Sequence, residues 1–129
     1  MGQGKSLLPV MELDKLHLER VCAHGGAGEI GFCRVFTRAQ FVGPWNFVDY
    51  AVLPPGASIG RHRHGPNEEM YLVLSGRGRM TRDHEEFAVQ AGSVIVNRAG
   101  GEHSLTNVGS EPLKLFVVEI ALSGEPEAQ

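Results

Sequence analysis

The sequence predicts an all-β domain, and three observations lead to this prediction. From residue 30 onward, short runs rich in β-branched and aromatic residues alternate with turn-forming residues. The chain of 129 residues contains 17 glycines and 7 prolines, which is enough for many turns. Runs such as 70–74 and 115–118 are apolar at every position, which indicates strands covered on both faces. We therefore expect a small closed or sandwiched β structure.

The chain has the length of one domain and divides into three parts. Residues 1–29 form an N-terminal lead-in, irregular or partly helical, in which Leu13, Leu16 and Leu18 mark a short helical turn. The glycine-rich segment 24–28 breaks any helix. Residues 30–122 form the β domain, and residues 123–129 are expected to be a flexible tail.

The predicted strands follow one another with a turn signal between each pair. The turns contain Gly, Pro, Asn or Asp, which favour the sharp backbone reversals of antiparallel sheets. The strands are expected at 30–37, 45–53, 58–62, 69–75, 78–82, 86–89, 93–97, 102–107 and 113–121.

Composition excludes several classes of function. The net charge is −3 with both signs interspersed, so no broad basic surface favours nucleic acid as a partner. No segment approaches the roughly 20 apolar residues of a membrane-spanning helix. Only two cysteines, Cys22 and Cys33, are present, and no secretory leader is recognisable. A cytoplasmic protein with free thiols is the expectation.

Four residues predict a metal site. His62 and His64 are two positions apart, so on an extended strand both imidazoles project from one face. Glu69 begins the next apolar run, and His103 lies downstream. Each residue alone is more typical of a solvated surface than of a metal site. Together they supply three imidazoles and one carboxylate, which suit Fe, Mn, Ni, Co, Cu or Zn rather than Ca. Glu68 is the competing carboxylate.

The spacing of these residues resembles the two sequence motifs of the cupin superfamily. The first motif matches as Gly56, five residues, His62-Arg63-His64, four residues, Glu69, six residues, Gly76. The second matches at Gly92, Gly100, His103 and Asn107, with Arg98 where the family has proline. The resemblance covers about residues 48–120.

The resemblance implies a fold and a ligand set. The fold is a double-stranded β-helix, a jelly-roll barrel of antiparallel strands. The metal would lie inside the barrel mouth, held by His62, His64, Glu69 and His103, with two positions left for water, oxygen or substrate. Arg98 in place of proline removes a rigid turn residue but no ligand. Asn107 is expected to bond backbone across a turn.

Two further residues are candidates for catalysis. Tyr71 shares strand parity with Glu69 and is predicted to line the cavity, as a proton donor or simply as a core aromatic. Arg98 lies near His103 in sequence and is a candidate for binding a substrate carboxylate or phosphate, with a surface salt bridge as the alternative. His84 is expected at a solvated hairpin tip. His17 and His24 are expected away from the site, and folding of His24 over the barrel mouth is the less favoured alternative.

These features favour a metal-dependent enzyme that acts on a small polar metabolite, sugar-like or carboxylate-like. Isomerase, epimerase or lyase chemistry would need only the metal as cofactor. An Fe(II)-dependent dioxygenase would use the same four ligands. The third alternative is a non-catalytic cupin that binds a metal or small ligand as a sensor. A homodimer is expected, because the doubly apolar strands need an outside cover.

Overall fold

The computed structural model describes residues 9–122, and these residues form two antiparallel sheets that enclose one core. The strands are β1 (Glu19–Val21), β2 (Ile30–Thr37), β3 (Trp45–Leu53), β4 (Ser58–Arg63), β5 (Asn67–Ser75), β6 (Arg77–Arg82), β7 (Glu85–Gln90), β8 (Val94–Asn97), β9 (Glu102–Asn107) and β10 (Leu113–Ala121). One sheet has the order β1-β2-β3-β10-β5-β8, and the other has the order β4-β9-β6-β7.

The observed strands confirm the predicted all-β fold. Four predicted strands have the observed bounds, and the other five agree within two residues at each end. Part of the agreement follows from alternation, since buried and less buried residues alternate with period two along β5, β8, β9 and β10. In β10, for example, Leu113, Leu115 and Val117 point into the core while their neighbours point outward.

The lead-in contains more structure than the sequence predicted. The helical turn expected near Leu13 is a 3-10 helix at Leu13–Lys15. Beyond it, β1 adds an unpredicted edge strand by pairing with β2. A second 3-10 helix at Ala23–Gly25 then lies against β4. Residues 1–8 and the predicted tail 123–129 lie outside the described residues, and the domain bounds stay a prediction.

Residues 23–28, which we call the cover segment, are attached to β4 by hydrogen bonds. Ser58 and Ala27 exchange two hydrogen bonds, Ser58 N–H to the Ala27 carbonyl at 2.9 Å and Ala27 N–H to Ser58 Oγ at 2.7 Å. Gly26 and Gly60 permit this approach, because a Cβ on either would overlap a backbone carbonyl of the other segment.

Among the residues that the structure describes, no helix has the length and apolar character that a membrane span requires.

Candidate metal centre

Strand segments from both sheets bring His62, His64, Glu69 and His103 together; we call these residues the His/Glu cluster. His62 lies on β4, His64 directly follows it, Glu69 lies on β5 and His103 lies on β9. One potential ligand atom from each lies within 4.8 Å of the other three. Glu69 and His103 are buried, and His62 and His64 are partly exposed. The structure therefore brings together all four residues that the sequence singled out.

An irregularity in β4 directs His62 into the barrel. Ile59 pairs with Leu105, but His62 pairs with His103, so β4 has one more residue than β9 over this interval. Regular alternation would place Ile59 and His62 on opposite faces. The extra residue reverses that alternation, so both side chains line the same cavity.

Hydrogen bonds orient two of the imidazoles. Nδ1 of His62 lies 2.8 Å from the carbonyl oxygen of Gly60. Nδ1 of His64 lies 2.8 Å from Oδ1 of Asn67. Both acceptors favour the tautomer protonated at Nδ1, which leaves the Nε2 lone pair available to a metal.

The hydrogen bonding of three buried atoms in the cluster indicates whether a cation fits here. Nε2 of His64 and Nε2 of His103 lie 3.1 and 3.2 Å from Oε1 of Glu69. These distances suit ion pairs, but none of the three atoms makes a hydrogen bond of acceptable geometry within residues 9–122. Buried polar atoms without partners cost free energy, and a divalent cation between them would satisfy all three. The donor set thus fits a transition metal.

The electrostatics around His64 favour positive charge. Burial lowers the pKa of His64, but the carboxylates of Glu119 and Glu69 outweigh this effect and raise the pKa to about 10. Burial raises the pKa of Glu69, but the imidazoles of His103 and His64 outweigh it and lower the pKa to about 2. Glu119 is itself held by the amide of Asn46 at 2.9 Å. Two buried carboxylates therefore require a proton or a metal cation beside them.

A cavity of about 270 Å³ opens beside the cluster and is lined in part by His62, Glu69 and Tyr71. Tyr71 is 2% exposed, and its ring packs edge-on against His103 with centroids 5.4 Å apart. Burial and the nearby carboxylate of Glu69 raise the pKa of Tyr71 well above its usual value. Its hydroxyl therefore keeps its proton at neutral pH. Burial lowers the pKa of His62 to about 4, so that imidazole is neutral at the same pH.

The expected position of His24 is wrong. His24 lines the cavity, and its ring stacks on His62 with centroids 3.7 Å apart and an interplanar angle of 10°. Its backbone φ of 50° lies in the left-handed region, which sequence patterns seldom reveal for a histidine. The glycine-rich run that begins after His24 indicated that a helix would end there, but it did not indicate where the His24 side chain would lie.

A second pair that the sequence analysis did not single out also lines the cavity. Arg34 on β2 donates from Nε and Nη2 to the two carboxylate oxygens of Asp49 on β3, at 2.9 and 3.1 Å. Burial raises the pKa of Asp49 to about 6, against the opposing effect of Arg34. Neither residue belongs to the two motifs, so only the strand pairing reveals them.

Other candidate residues lie away from the cluster. Arg98 is exposed and lines a surface depression with Arg82 and Asp83, not the cavity. This position does not support the predicted contact with substrate. His84 is exposed in the turn between β6 and β7, as expected. Asn107 donates to the carbonyls of Leu53 and Glu111, both at 2.8 Å, in the backbone-bonding role that its position predicted.

Comparison with known proteins agrees with this geometry. A family model for the cupin domain matches residues 49–119. The chain belongs to the cupin family. The match spans β3 to β10 and includes the whole His/Glu cluster.

Individual proteins of known sequence or structure are also similar to this chain. The chain is 30% identical over 123 residues to the oxalate-binding protein of Thermotoga maritima, which covers 95% of this chain and 100% of the relative. It resembles the crystal structure of a predicted oxalate decarboxylase from the same organism, with a TM-score of 0.85, 28% identity and coverage of 88% and 100%. A putative sugar phosphate isomerase from Acidithiobacillus ferrooxidans shares the fold, with a TM-score of 0.73, 21% identity and coverage of 90% and 76%.

Proposed function

We propose that this cupin binds a divalent transition metal at the His/Glu cluster and a small carboxylate metabolite at the open side of the ion. The observation that carries the proposal is the convergence of three buried atoms without hydrogen-bond partners in the described part of the chain, next to a cavity. A six-coordinate ion with four protein ligands has two positions left for ligand oxygens.

The relatives support a carboxylate as the ligand. One is an oxalate-binding protein, and another is described as a predicted oxalate decarboxylase. Oxalate presents two oxygens on adjacent carbons, which suits two neighbouring open positions on an ion. Fe, Mn, Ni, Co, Cu and Zn all remain candidates, since imidazole and carboxylate ligands accept each of them.

The reaction that we propose is of the lyase or isomerase type, with decarboxylation as one example. A bound metal would polarise a ligand oxygen and stabilise negative charge on it. His62 and Glu69 would orient the ligand from the cluster side of the cavity. Tyr71 would supply a proton from a hydroxyl that stays protonated at neutral pH. The cover segment with His24 would limit the access of water.

A non-catalytic binding protein is the second candidate function. The name of the oxalate-binding relative favours it, because that name describes binding and no reaction. The same cluster and cavity would serve this role. The Fe(II)-dependent dioxygenase stays a prediction, and the iron content of the purified protein tests it.

Metal analysis of protein purified without chelators or metal-affinity tags tests the site. We expect about one ion per chain in the wild type and a large loss in His62→Ala and His103→Ala. His84→Ala is the matched control, since His84 is exposed and outside the cluster. Equal metal content in all four proteins would refute the site.

Incubation of the metal-loaded protein with oxalate, followed by mass spectrometry, separates the two candidate functions. Loss of the ligand with release of CO₂ would support the lyase, and a ligand bound but recovered unchanged would support the binding protein. Stoichiometric iron together with oxygen consumption would favour the dioxygenase instead. Tyr71→Phe should abolish turnover but retain the metal if the tyrosine donates the proton.

We also propose that the protein is a cytoplasmic homodimer. The proposed contact is the outer face of the six-stranded sheet, where Val94 and Val96 on the edge strand β8 are 61% and 52% exposed. Leu74 on the neighbouring β5 is also exposed. Burial of such a face against a second copy would remove apolar surface from water and cover the strand edge.

A further inference from the structure

The wall of the cavity beyond the His/Glu cluster is largely apolar. The apolar residues of this wall include Ile30, Phe32, Phe47, Ala51, Ile59 and Val117. All except Phe32 are at most 7% exposed and belong to the hydrophobic core. A ligand that reaches past the metal must therefore contact aliphatic and aromatic groups.

The charged pair on this wall is already neutralised. The guanidinium of Arg34 gives Nε and Nη2 to the two oxygens of Asp49, and its central carbon lies 4.0 Å from the centroid of the Phe47 ring. A second carboxylate on the ligand would meet the charge of Asp49 as well as that of Arg34. The pair consequently offers little attraction for a dicarboxylate.

The volume of the cavity exceeds what oxalate requires. A volume of about 270 Å³ equals about nine water molecules at roughly 30 Å³ each. Oxalate has six heavy atoms, all polar or carbonyl, and its inner end would leave the apolar wall against water. Sugar hydroxyls on that wall would lose hydrogen bonds to water without gaining partners. The wall is instead complementary to alkyl groups.

We propose that the ligand is a monocarboxylate with an oxygen on the adjacent carbon, a 2-oxo or 2-hydroxy acid, that carries an apolar substituent of about four carbons. The two adjacent oxygens would take the open positions on the metal, and the substituent would lie on Phe32, Phe47 and Ile30. The inference rests on the proposed function and narrows its substrate class from small carboxylates to this one.

Calorimetric titration of the Mn²⁺-loaded protein with four acids tests the proposal. The acids are oxalate, pyruvate, 2-oxo-4-methylpentanoate and 2-oxoglutarate. Each buried methylene improves binding about fourfold, so the three extra carbons of 2-oxo-4-methylpentanoate should lower its dissociation constant about 60-fold relative to pyruvate. Oxalate and 2-oxoglutarate should bind more weakly than 2-oxo-4-methylpentanoate.

The outcomes distinguish this inference from the function on which it rests. If oxalate and pyruvate bind but the longer 2-oxo acid binds no better, the inference is wrong and carboxylate binding stands. Tighter binding of 2-oxoglutarate than of 2-oxo-4-methylpentanoate would also overturn it. If none of the acids binds the metal-loaded protein, the proposed function and the inference both fail.

Variants on β2 provide a matched test of the wall. Phe32→Ala removes a ring that lines the cavity, while Phe36→Ala removes a ring on the same strand that packs on Phe41 instead. We expect Phe32→Ala to weaken 2-oxo-4-methylpentanoate about tenfold and leave pyruvate unchanged. Phe36→Ala should change neither. An equal loss for both acids, or no loss, in folded Phe32→Ala would overturn the assignment.

A variant that fills part of the cavity tests the same assignment if Phe32→Ala does not fold. Ala51→Val adds two methyl groups to the wall at a residue that is 3% exposed. The longer acid should then bind several-fold more weakly, while pyruvate binding is retained. Unchanged binding of the longer acid would place its substituent elsewhere and contradict the proposal.

Discussion

His64 is the residue at which the charges of the His/Glu cluster are balanced. Its Nε2 lies 3.1 Å from Oε1 of Glu69, and its Nδ1 lies 3.4 Å from Oε1 of Glu119. Both carboxylates are buried, so their negative charge is poorly solvated. A proton on His64 compensates part of this charge in the metal-free protein. A divalent cation would replace that proton.

This balance predicts that metal binding releases protons. The pKa of about 10 means that metal-free His64 is protonated at pH 7, whereas a metal ligand must be a neutral imidazole. His62, with a pKa of about 4, is already neutral. We expect about one proton from His64 per ion bound, and metal affinity that rises with pH until His64 loses its proton near pH 10. Calorimetry in buffers of different ionisation enthalpy measures the release. A binding enthalpy that is independent of the buffer would contradict the prediction.

His24 is predicted to affect the ligand more than the metal. It stacks on His62 but is not part of the His/Glu cluster. We expect His24→Ala to keep its metal content and to bind oxalate about two- to tenfold more weakly, because the cavity loses a lining ring and His62 loses a stacked neighbour that orients it, a contact of about 0.5–1.5 kcal/mol. Elemental analysis and calorimetry on the Mn²⁺-loaded protein measure the two quantities.

His84→Ala is again the control for this experiment. Both its metal content and its oxalate affinity should match the wild type, since His84 is exposed. Loss of metal from His24→Ala would instead make His24 part of the ligand set. Unchanged oxalate affinity would remove it from the site.

At the scale of secondary-structure elements, β4 determines the shape of the site. Its extra residue turns His62 toward the cavity. Its Gly60 has no Cβ and so leaves room for the cover segment. The carbonyl of Gly60 also orients the imidazole of His62. One short strand thus connects the His/Glu cluster with the segment that carries His24.

Gly60→Ala tests this connection. The added methyl group would overlap the carbonyl oxygen of His24, so the cover segment must move. We expect the free energy of unfolding to fall by about 1–3 kcal/mol, as for other overpacked sites. Urea denaturation measures the change, and weaker oxalate binding should accompany it.

Gly109→Ala is the matched control at the element scale. Its added Cβ would lie 3.5 Å from Cβ of Arg77, an ordinary van der Waals distance. The Gly109→Ala variant should be as stable as the wild type, or slightly more stable, because alanine restricts the unfolded chain. Equal stability of the two variants would show that the close approach at Gly60 does not matter.

Some elements were predictable from signals that the sequence analysis overlooked. The 3-10 helix at Arg38–Gln40 begins at Thr37, and Gln40 bonds back to the Thr37 N–H at 2.8 Å. Thr-x-x-Gln is the capping-box pattern, so this helical turn could have been predicted from the sequence. The three-residue strand β1 was not, because its pairing with β2 depends on contacts distant in sequence.

At the scale of the whole molecule, the two sheets differ in what they face. The six-stranded sheet buries one side in the core and has exposed valines on its edge strand β8. The four-stranded sheet supplies His62 and His103 to the site, while β5 of the larger sheet supplies Glu69. The His/Glu cluster therefore joins the two layers.

Light scattering at micromolar concentration tests the proposed homodimer. We expect about twice the chain mass of 14.0 kDa. Val96→Glu should shift the mass toward 14.0 kDa, because a charge in the contact would be costly to bury. Val42→Glu is the control, since Val42 is fully exposed and not on the outer sheet face of β8 and β5. A wild-type mass near 14.0 kDa would refute the dimer.

The sequence by itself determined the strands and the four residues of the His/Glu cluster. Strand positions follow from alternation and turn residues, which are local properties. The cluster residues follow from the His62-x-His64 spacing and from the family pattern that places Glu69 and His103 beside it. Their convergence within 4.8 Å needed no further information beyond the fold that the pattern implies.

Only the tertiary structure decided which other residues reach the cavity. His24 reaches the cavity because its backbone is in the left-handed region and because Gly26 and Gly60 allow its segment to approach β4. Arg34 and Asp49 lie on the cavity wall because the register of β2 with β3 places them opposite each other. Arg98, which is close to His103 in sequence, faces the surface instead. Such outcomes depend on strand register and long-range packing, where a shift of one residue reverses the face on which a side chain lies.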